Sequence, residues 1–419
     1  MNTLEMASTG HPVSGLRLRL AEHLWRMAVV VLALMPVGMA IAHRSSPVFL
    51  VLSALCALGA TALEAKLRPV LREALAVLAS PLGMAVLAFL GWCLVSIGWS
   101  EFRSTSLRAF GEFLLPLTAA FALALTLARR MTRLGFWLLT GAFILACFMM
   151  VFELRSGLVL RHSLGMRSDS FIFNRPVLTL LVLVPPLAAW FVGGVRHGWA
   201  FSIGLVLLLS GTALLSDSGA AVLGLIMAGL ACAMAWFAPR WAWRLAGVAF
   251  AVAMIVAPAI GPISSNLISP SLHDAIAGGH SRERVEVWNS FGAAVREQPL
   301  LGAGFGVSPR MGETSVARKV PEGEQKMLAI GHPHNVALQI WVELGVVGVA
   351  LALAVIFLLL RAVTRQSDLA GAFSLTLIGA AATVALVGHG AWQGWWAASL
   401  GAAILWMIAA NKPQPETGP

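Results

Sequence analysis

From Ile330 to Gly348 the chain reads IGHPHNVALQIWVELGVVG. Two imidazoles, His332 and His334, stand at the mouth of a segment that stays apolar as far as Leu360, and a carboxylate, Glu343, lies inside it. A neutral imidazole takes up a proton near neutral pH, so a histidine here reads as a general base. Pro333 suits the first turn of a helix and pushes His332 towards extended backbone, which predicts a helix starting near 333–334. The unpaired N–H groups of that first turn attract anions and disfavour an imidazolium, so His334 is expected to be neutral. Asn335, Gln339 and Glu343 follow four residues apart on one side of the helix. Glu343 lies about 12 Å below Asn335, a depth at which an ionisable group needs a partner or a wet cavity. Gly345 and Gly348 are expected to admit a neighbouring helix. Plainer readings stand beside these: the histidines cap the helix in the headgroup zone, His-x-His holds a metal although no nearby acid and histidine complete a set, and Glu343 only hydrogen-bonds another helix.

A second group of reactive residues precedes this one, in HSRERVEVWNSFGAAVREQPLLGAGFG (280–306). Val285, Trp288, Phe291 and Val295 recur at helical spacing, which predicts an amphipathic helix on or near the membrane, set off by Pro270, Gly278 and Gly279 and ending before Pro299. Arg284 shares a helical side with Trp288. Gly302, Gly304 and Gly306 lack the strand–turn–helix context of a dinucleotide site, and are expected to allow close backbone approach.

The elements that must position these residues are membrane spans. The chain is 58% hydrophobic and 11% charged, and its mean hydropathy is +0.83. A soluble protein of 419 residues cannot bury that much apolar surface. Twelve apolar segments read as spanning helices, at about 25–42, 47–63, 82–99, 107–128, 134–152, 177–194, 199–215, 219–237, 241–260, 334–360, 369–388 and 391–410. None shows the short alternating pattern of a β-barrel. The expected fold is an all-α integral membrane protein, one polytopic domain over 1–419, with a long outer loop at 261–333 and a shorter basic one at 153–176. No cleavable signal is expected in the polar, basic first 24 residues. Cys56, Cys93, Cys147 and Cys232 fall in four different spans and are expected to pack rather than pair. Trp25, Trp99, Trp199, Trp241 and Trp341 lie near span ends, as interfacial anchors do.

With the N-terminus in the cytoplasm, fifteen of the 29 Lys and Arg fall on the cytoplasmic side, Lys412 among them, and three (Arg44, Arg103 and Arg108) in the short outer loops. The remaining eleven crowd into the two long outer segments. Arg155, Arg161, Arg167 and Arg175 occupy the first; Arg282, Arg284, Arg296, Arg310, Arg318, Lys319 and Lys326 occupy the second. A solvated surface or attraction to anionic lipid would account for them, but arginine's planar fork matches phosphoryl oxygens, and a phosphate pocket is the sharper reading. Nucleic acid is not expected on an outer membrane-facing side.

Taken together, twelve spans, one long outer loop, Arg284-x-x-x-Trp288, Pro299-x-x-Gly302-x-Gly304-x-Gly306 and His332-x-His334-Asn335 through Glu343-x-Gly345-x-x-Gly348 resemble the O-antigen ligase and polymerase superfamily. Phe173-Asn174-Arg175-Pro176 is similar to the segment that closes the preceding outer loop in that superfamily. Many members carry Ser-Arg-Gly-Ala at the start of the eighth span, where this chain has Ser216-Asp217-Ser218-Gly219-Ala220, so Arg175, Arg161 or Arg167 would have to replace the missing arginine. The resemblance implies a GT-C-like glycosyltransferase of the bacterial inner membrane with its site facing the periplasm. Its donor would be a glycan on undecaprenyl pyrophosphate and its acceptor lipid A–core oligosaccharide, with no cofactor and no metal. On that reading His334 is the base, Arg284 and Arg175 hold the pyrophosphate, and Arg161, Arg167, Asn174, Arg282, His332, Asn335 and Glu343 bind or orient substrate among membrane lipids. O-antigen polymerase and protein O-oligosaccharyltransferase remain alternatives within the superfamily, and a lipid-linked sugar transporter is an alternative outside it. Oligomeric state is not specified.

Overall fold

The computed structural model describes residues 15–269, 271, 281–366 and 368–411; Pro270, Gly278, Gly279 and Lys412 lie outside these. The described residues contain no strand. The principal helices are α1 (Gly15–Ala33), α2 (Met35–Ile41), α3 (Ser46–Leu63), α4 (Leu67–Leu78), α5 (Pro81–Ser96), α6 (Arg103–Thr126), α7 (Arg133–Ser156), α8 (Val159–Ser163), α9 (Asn174–Gly194), α10 (Gly198–Leu215), α11 (Gly219–Phe237), α12 (Pro239–Val256), α13 (Ile260–Leu267), α14 (Ser281–Glu297), α15 (Val336–Val363), α16 (Asp368–Val387) and α17 (Gly394–Ala410). Several starts are written in the sequence. Pro81 and Pro239 open α5 and α12, and the hydroxyls of Ser80, Thr132 and Ser218 accept from the N–H three residues on.

Among the described residues, ten helices are long and apolar enough to cross a membrane. The first expected span is a pair, α1 and α2, bent by 47°, and the last, α17, is an apolar helix of 17 residues. Large apolar side chains on the perimeter, such as Leu55, Leu207 and Phe237, are left uncovered, as lipid requires and water would penalise. The chain is therefore a multi-pass helical membrane protein. At its centre stands α9, whose side chains from Pro176 to Phe191 are all buried against α10, α16 and α17.

A second core gathers α5, α14, the 303–320 segment and α15. Here α14 departs from expectation. Val285, Phe291 and Val295 are buried in protein, and Gly292 lies so close to the Pro258 carbonyl that a Cβ would approach it to 2.4 Å. The helix is docked on the bundle rather than laid on lipid. Three of the expected tryptophan anchors are also internal donors: Trp25 to Glu64 at 2.8 Å, Trp99 to the Gly302 carbonyl at 3.2 Å and Trp341 to the Met254 carbonyl at 2.6 Å.

α15 is broken at Gly345, whose φ of +64° and ψ of −166° no other residue adopts comfortably. Gly345 therefore admits a loop, not a helix: a Cβ there would lie 2.2 Å from the Leu300 carbonyl. The break frees backbone groups at membrane depth, and the glycine-rich loop satisfies them. Ala303 N–H donates to the Val342 carbonyl at 2.8 Å, Gly304 N–H to Glu343 at 2.9 Å, and Val346 N–H to Pro299 at 2.9 Å. A Cβ on Gly302 would meet the Glu343 backbone at 2.4 Å, so the close approach expected of these glycines is realised.

Candidate functional site

The helix that follows the two histidines begins at Val336, not at 333–334. Asn335 is its cap: the side-chain oxygen accepts the Leu338 N–H at 2.9 Å, an arrangement worth about 1 kcal/mol that outcompetes the proline start. His334 thus sits just before the cap, in a left-handed conformation with φ of +51°. Such a conformer in a non-glycine residue costs about 1–3 kcal/mol and tends to occur where geometry serves a site. Its N–H donates to His332 Nδ1 at 3.3 Å, and the two ring centroids are 4.2 Å apart.

His334 Nδ1 lies 3.0 Å from the Gly388 carbonyl oxygen. A carbonyl only accepts, so the neutral ring carries its proton on Nδ1 and leaves the Nε2 lone pair available. One residue back, the Val387 carbonyl accepts from Arg284 Nη1 at 2.5 Å. Trp288, one turn along from Arg284, donates to the Pro333 carbonyl at 3.0 Å. The Arg-x-x-x-Trp face of α14 therefore touches both the histidine loop and the end of α16.

Three histidines converge, not two. His389 packs edge-on against Trp395 with centroids 4.9 Å apart, and Arg175 at the start of α9 lies over the same indole at 5.6 Å. Gln393 accepts from Trp395 Nε1 at 2.5 Å, and its side-chain amide is 3.4 Å from His332 Nε2. Burial pushes His332 down to about 3, helped by His334 and Arg175. Burial likewise takes His389 to about 3, with Arg175 and the other two rings adding. His334 is also held below the ordinary imidazole value, by burial and then by Arg284; the bond to Gly388 opposes this. Three neutral rings lie between the two arginine cations, and of these rings His334 keeps its Nε2 lone pair away from the Gly388 bond. Among the described residues, no three His, Cys, Asp or Glu side chains are grouped to hold a metal ion.

The other expected residues fall into separate places. Glu343 has no exposed surface. Its two oxygens accept from the Gly306 N–H at 2.5 Å, the N–H and hydroxyl of Ser308, Gln339 Nε2 at 2.9 Å and Trp392 Nε1 at 2.6 Å. Asn335 is buried with its oxygen used as the cap. Arg161 is buried as well, and its guanidinium donates to the carbonyls of Ala40 at 2.8 Å and Ile41 at 3.0 Å, at the end of α2. The geometry gives Glu343, Asn335 and Arg161 partners within the protein, the arrangement of residues that orient a site from behind. Arg167 pairs with Asp169 at 2.5 Å on the exposed side of the same loop, and Asn174 opens α9 beside Arg175. Arg282 is exposed on α14. In place of the superfamily arginine, Asp217 accepts the Ser170 hydroxyl and ties the start of α11 to this loop.

Sequence reasoning missed His389 and the whole turn from Val387 to Gln393. The signal was there: alternating spans place residue 389 on the same side as 332, and it reads Gly388-His389-Gly390. Lacking the spacing of a known motif, it passed as a connector.

Compared with known proteins, residues 203–353 match the model of the O-antigen ligase family. That segment includes Arg284, His332, His334 and Glu343 but neither Arg175 nor the 387–393 turn. A Rickettsia bellii protein named "Putative polysaccharide ligase" is 27% identical over 208 residues, 47% of this chain and 48% of its own length. A Rickettsia felis protein of the same name is 25% identical over 221 residues, 52% of this chain and 51% of its own length. The chain spans about half the length of the curated relatives it matches. No solved structure matches the chain.

Proposed function

We propose, from the match of residues 203–353 to the O-antigen ligase family model, that this chain transfers a glycan from undecaprenyl pyrophosphate to a sugar hydroxyl of lipid A–core oligosaccharide. The reaction takes place at the periplasmic face of the bacterial inner membrane, the side on which charge distribution puts the histidines. His334 Nε2 removes the proton from the acceptor hydroxyl as that oxygen attacks the anomeric carbon of the donor. The bond from that carbon to the phosphate oxygen breaks, and the electron pair leaves with the lipid pyrophosphate. Arg284 and Arg175 stabilise the charge that grows there, as fixed cations in a dry site do without a metal. The observation that carries this reading is the His334 Nδ1 bond to Gly388, which commits the opposite nitrogen to proton acceptance beside Arg284.

Polymerase and protein-glycosylating readings differ only in the acceptor, and one experiment separates them. The purified protein is reconstituted with lipid-linked glycan and offered, in turn, lipopolysaccharide lacking that glycan, a second lipid-linked glycan and an acceptor protein. Glycan appearing on lipopolysaccharide alone is expected. Elongated lipid-linked glycan or glycosylated protein would reassign the acceptor. Movement of intact donor across the bilayer with no transfer at all would replace the enzyme reading by transport.

A further inference from the structure

Arg284 and His334 come from elements far apart in the chain, yet both bond to one short segment. Val387 and Gly388 present consecutive carbonyls at the end of α16, one to each residue. Beyond them, Gly390 seats His332, where a Cβ would lie 3.2 Å from the ring and 3.3 Å from Gln339 Oε1. The same turn is gripped from inside α15. Ala391 N–H donates to Gln339 Oε1 at 2.8 Å, Gln339 Nε2 donates to Glu343 at 2.9 Å, and Trp392 Nε1 donates to Glu343 at 2.6 Å. Trp392 packs in the second core, while Trp395 and Trp396 pack in the first. The turn is therefore a rigid bridge between the two halves of the bundle.

We propose that the 387–393 turn is the template that sets the tautomer and aim of His334 relative to Arg284, and that Gln339 and Glu343 are positioning residues that hold this template from within α15. A carboxylate at membrane depth is costly and persists when fully satisfied. Here five donors satisfy it, and two of them, Gln339 and Trp392, lead straight to the template. A free imidazole in water favours the proton on Nε2, so a His334 released from Gly388 would often present the wrong nitrogen. This inference rests on the reading of His334 as base.

The test uses Trp392→Phe, which keeps the aromatic packing and removes one tie, together with Gln339→Leu, which removes the other. Transfer by the reconstituted protein is followed across pH. The groups facing His334 are His332 in its own loop, Arg284 from α14 and His389 from the turn, with Arg175 of α9 beside His332 and His389; both variants leave all of them in place. The Gly388 bond favours the protonated ring, so loosening the turn weakens the base. Each variant should lose roughly ten- to a hundredfold in kcat at the plateau, with donor KM unchanged and the acid limb moved to lower pH. The double variant should move further in the same direction. Wild-type acid limbs in both single variants, or losses confined to KM or to the amount of folded protein, would overturn the proposal. If His334→Ala itself transfers normally, it is the base reading that fails instead.

Discussion

Arg284 offers a substitution whose consequences the structure separates into two. One of its guanidinium nitrogens bonds to Val387 at 2.5 Å, which leaves the rest of its five-donor fork for a phosphoryl group. Arg284→Lys keeps the charge but has a compact ammonium that cannot hold the carbonyl and a phosphate edge together. Losing one preorganised donor to developing negative charge costs about 2.7–4 kcal/mol, or roughly 10²–10³ in rate. Arg284→Ala should fall in that range and Arg284→Lys should lose about tenfold or more. The second consequence concerns pH. The Arg284 cation disfavours protonation of His334, so in Arg284→Ala the acid limb of the rate profile should move to higher pH, while in Arg284→Lys it should stay. The turn itself stays held by Gln339 and Trp392. Initial rates of glycan transfer in proteoliposomes, taken from about pH 5 to 8, give both readings. Wild-type plateaus in both variants, or an unmoved acid limb in Arg284→Ala, would refute the reasoning.

Other consequences are simpler to check. Gly345→Ala places a Cβ 2.2 Å from the Leu300 carbonyl at a φ of +64°, so its thermal midpoint in detergent should drop sharply, and an unchanged midpoint would contradict the loop-filled break. Glu343→Ala leaves five buried donors without their acceptor and should lower stability in an unfolding titration by at least the about 1–3 kcal/mol that one unsatisfied buried donor costs. Transfer should survive EDTA, and a loss restored by one divalent ion would turn the histidines into ligands. In a background without other cysteines, Arg310→Cys and Leu164→Cys should react with an impermeant reagent from the periplasm and Arg68→Cys only after permeabilisation; the reverse pattern would invert the topology.

The spans were legible because lipid imposes a single demand, a long apolar helix; ten of the twelve expected segments meet it as such, while the first is a bent pair and the last a shorter helix among the described residues. What the sequence concealed is how helices are interrupted. Gly345 reads as a packing residue, and only the bound 299–304 loop turns it into a break. Pro333 reads as a helix start, and Asn335 takes that role because its side chain reaches the third N–H beyond it. Glu343 reads as a site residue because ionisable groups at membrane depth usually are; its five donors come from segments spread between residues 306 and 392, and no local pattern announces them. His334 and Arg284 stand out by motif and charge, whereas the carbonyls they bond to belong to the backbone of a connector, where residue type carries little signal.

The central claim is that His334 Nε2 takes the acceptor proton, and the most direct measurement is the single-turnover transfer rate of His334→Gln beside wild type, with donor binding measured on the same preparation. Glutamine keeps a hydrogen-bonding side chain but cannot accept a proton near neutral pH. The account predicts that the variant accumulates and binds lipid-linked donor as wild type does, while transfer falls by roughly 10²–10⁴-fold. Transfer within a few-fold of wild type, or a loss explained entirely by lost donor binding, would contradict it.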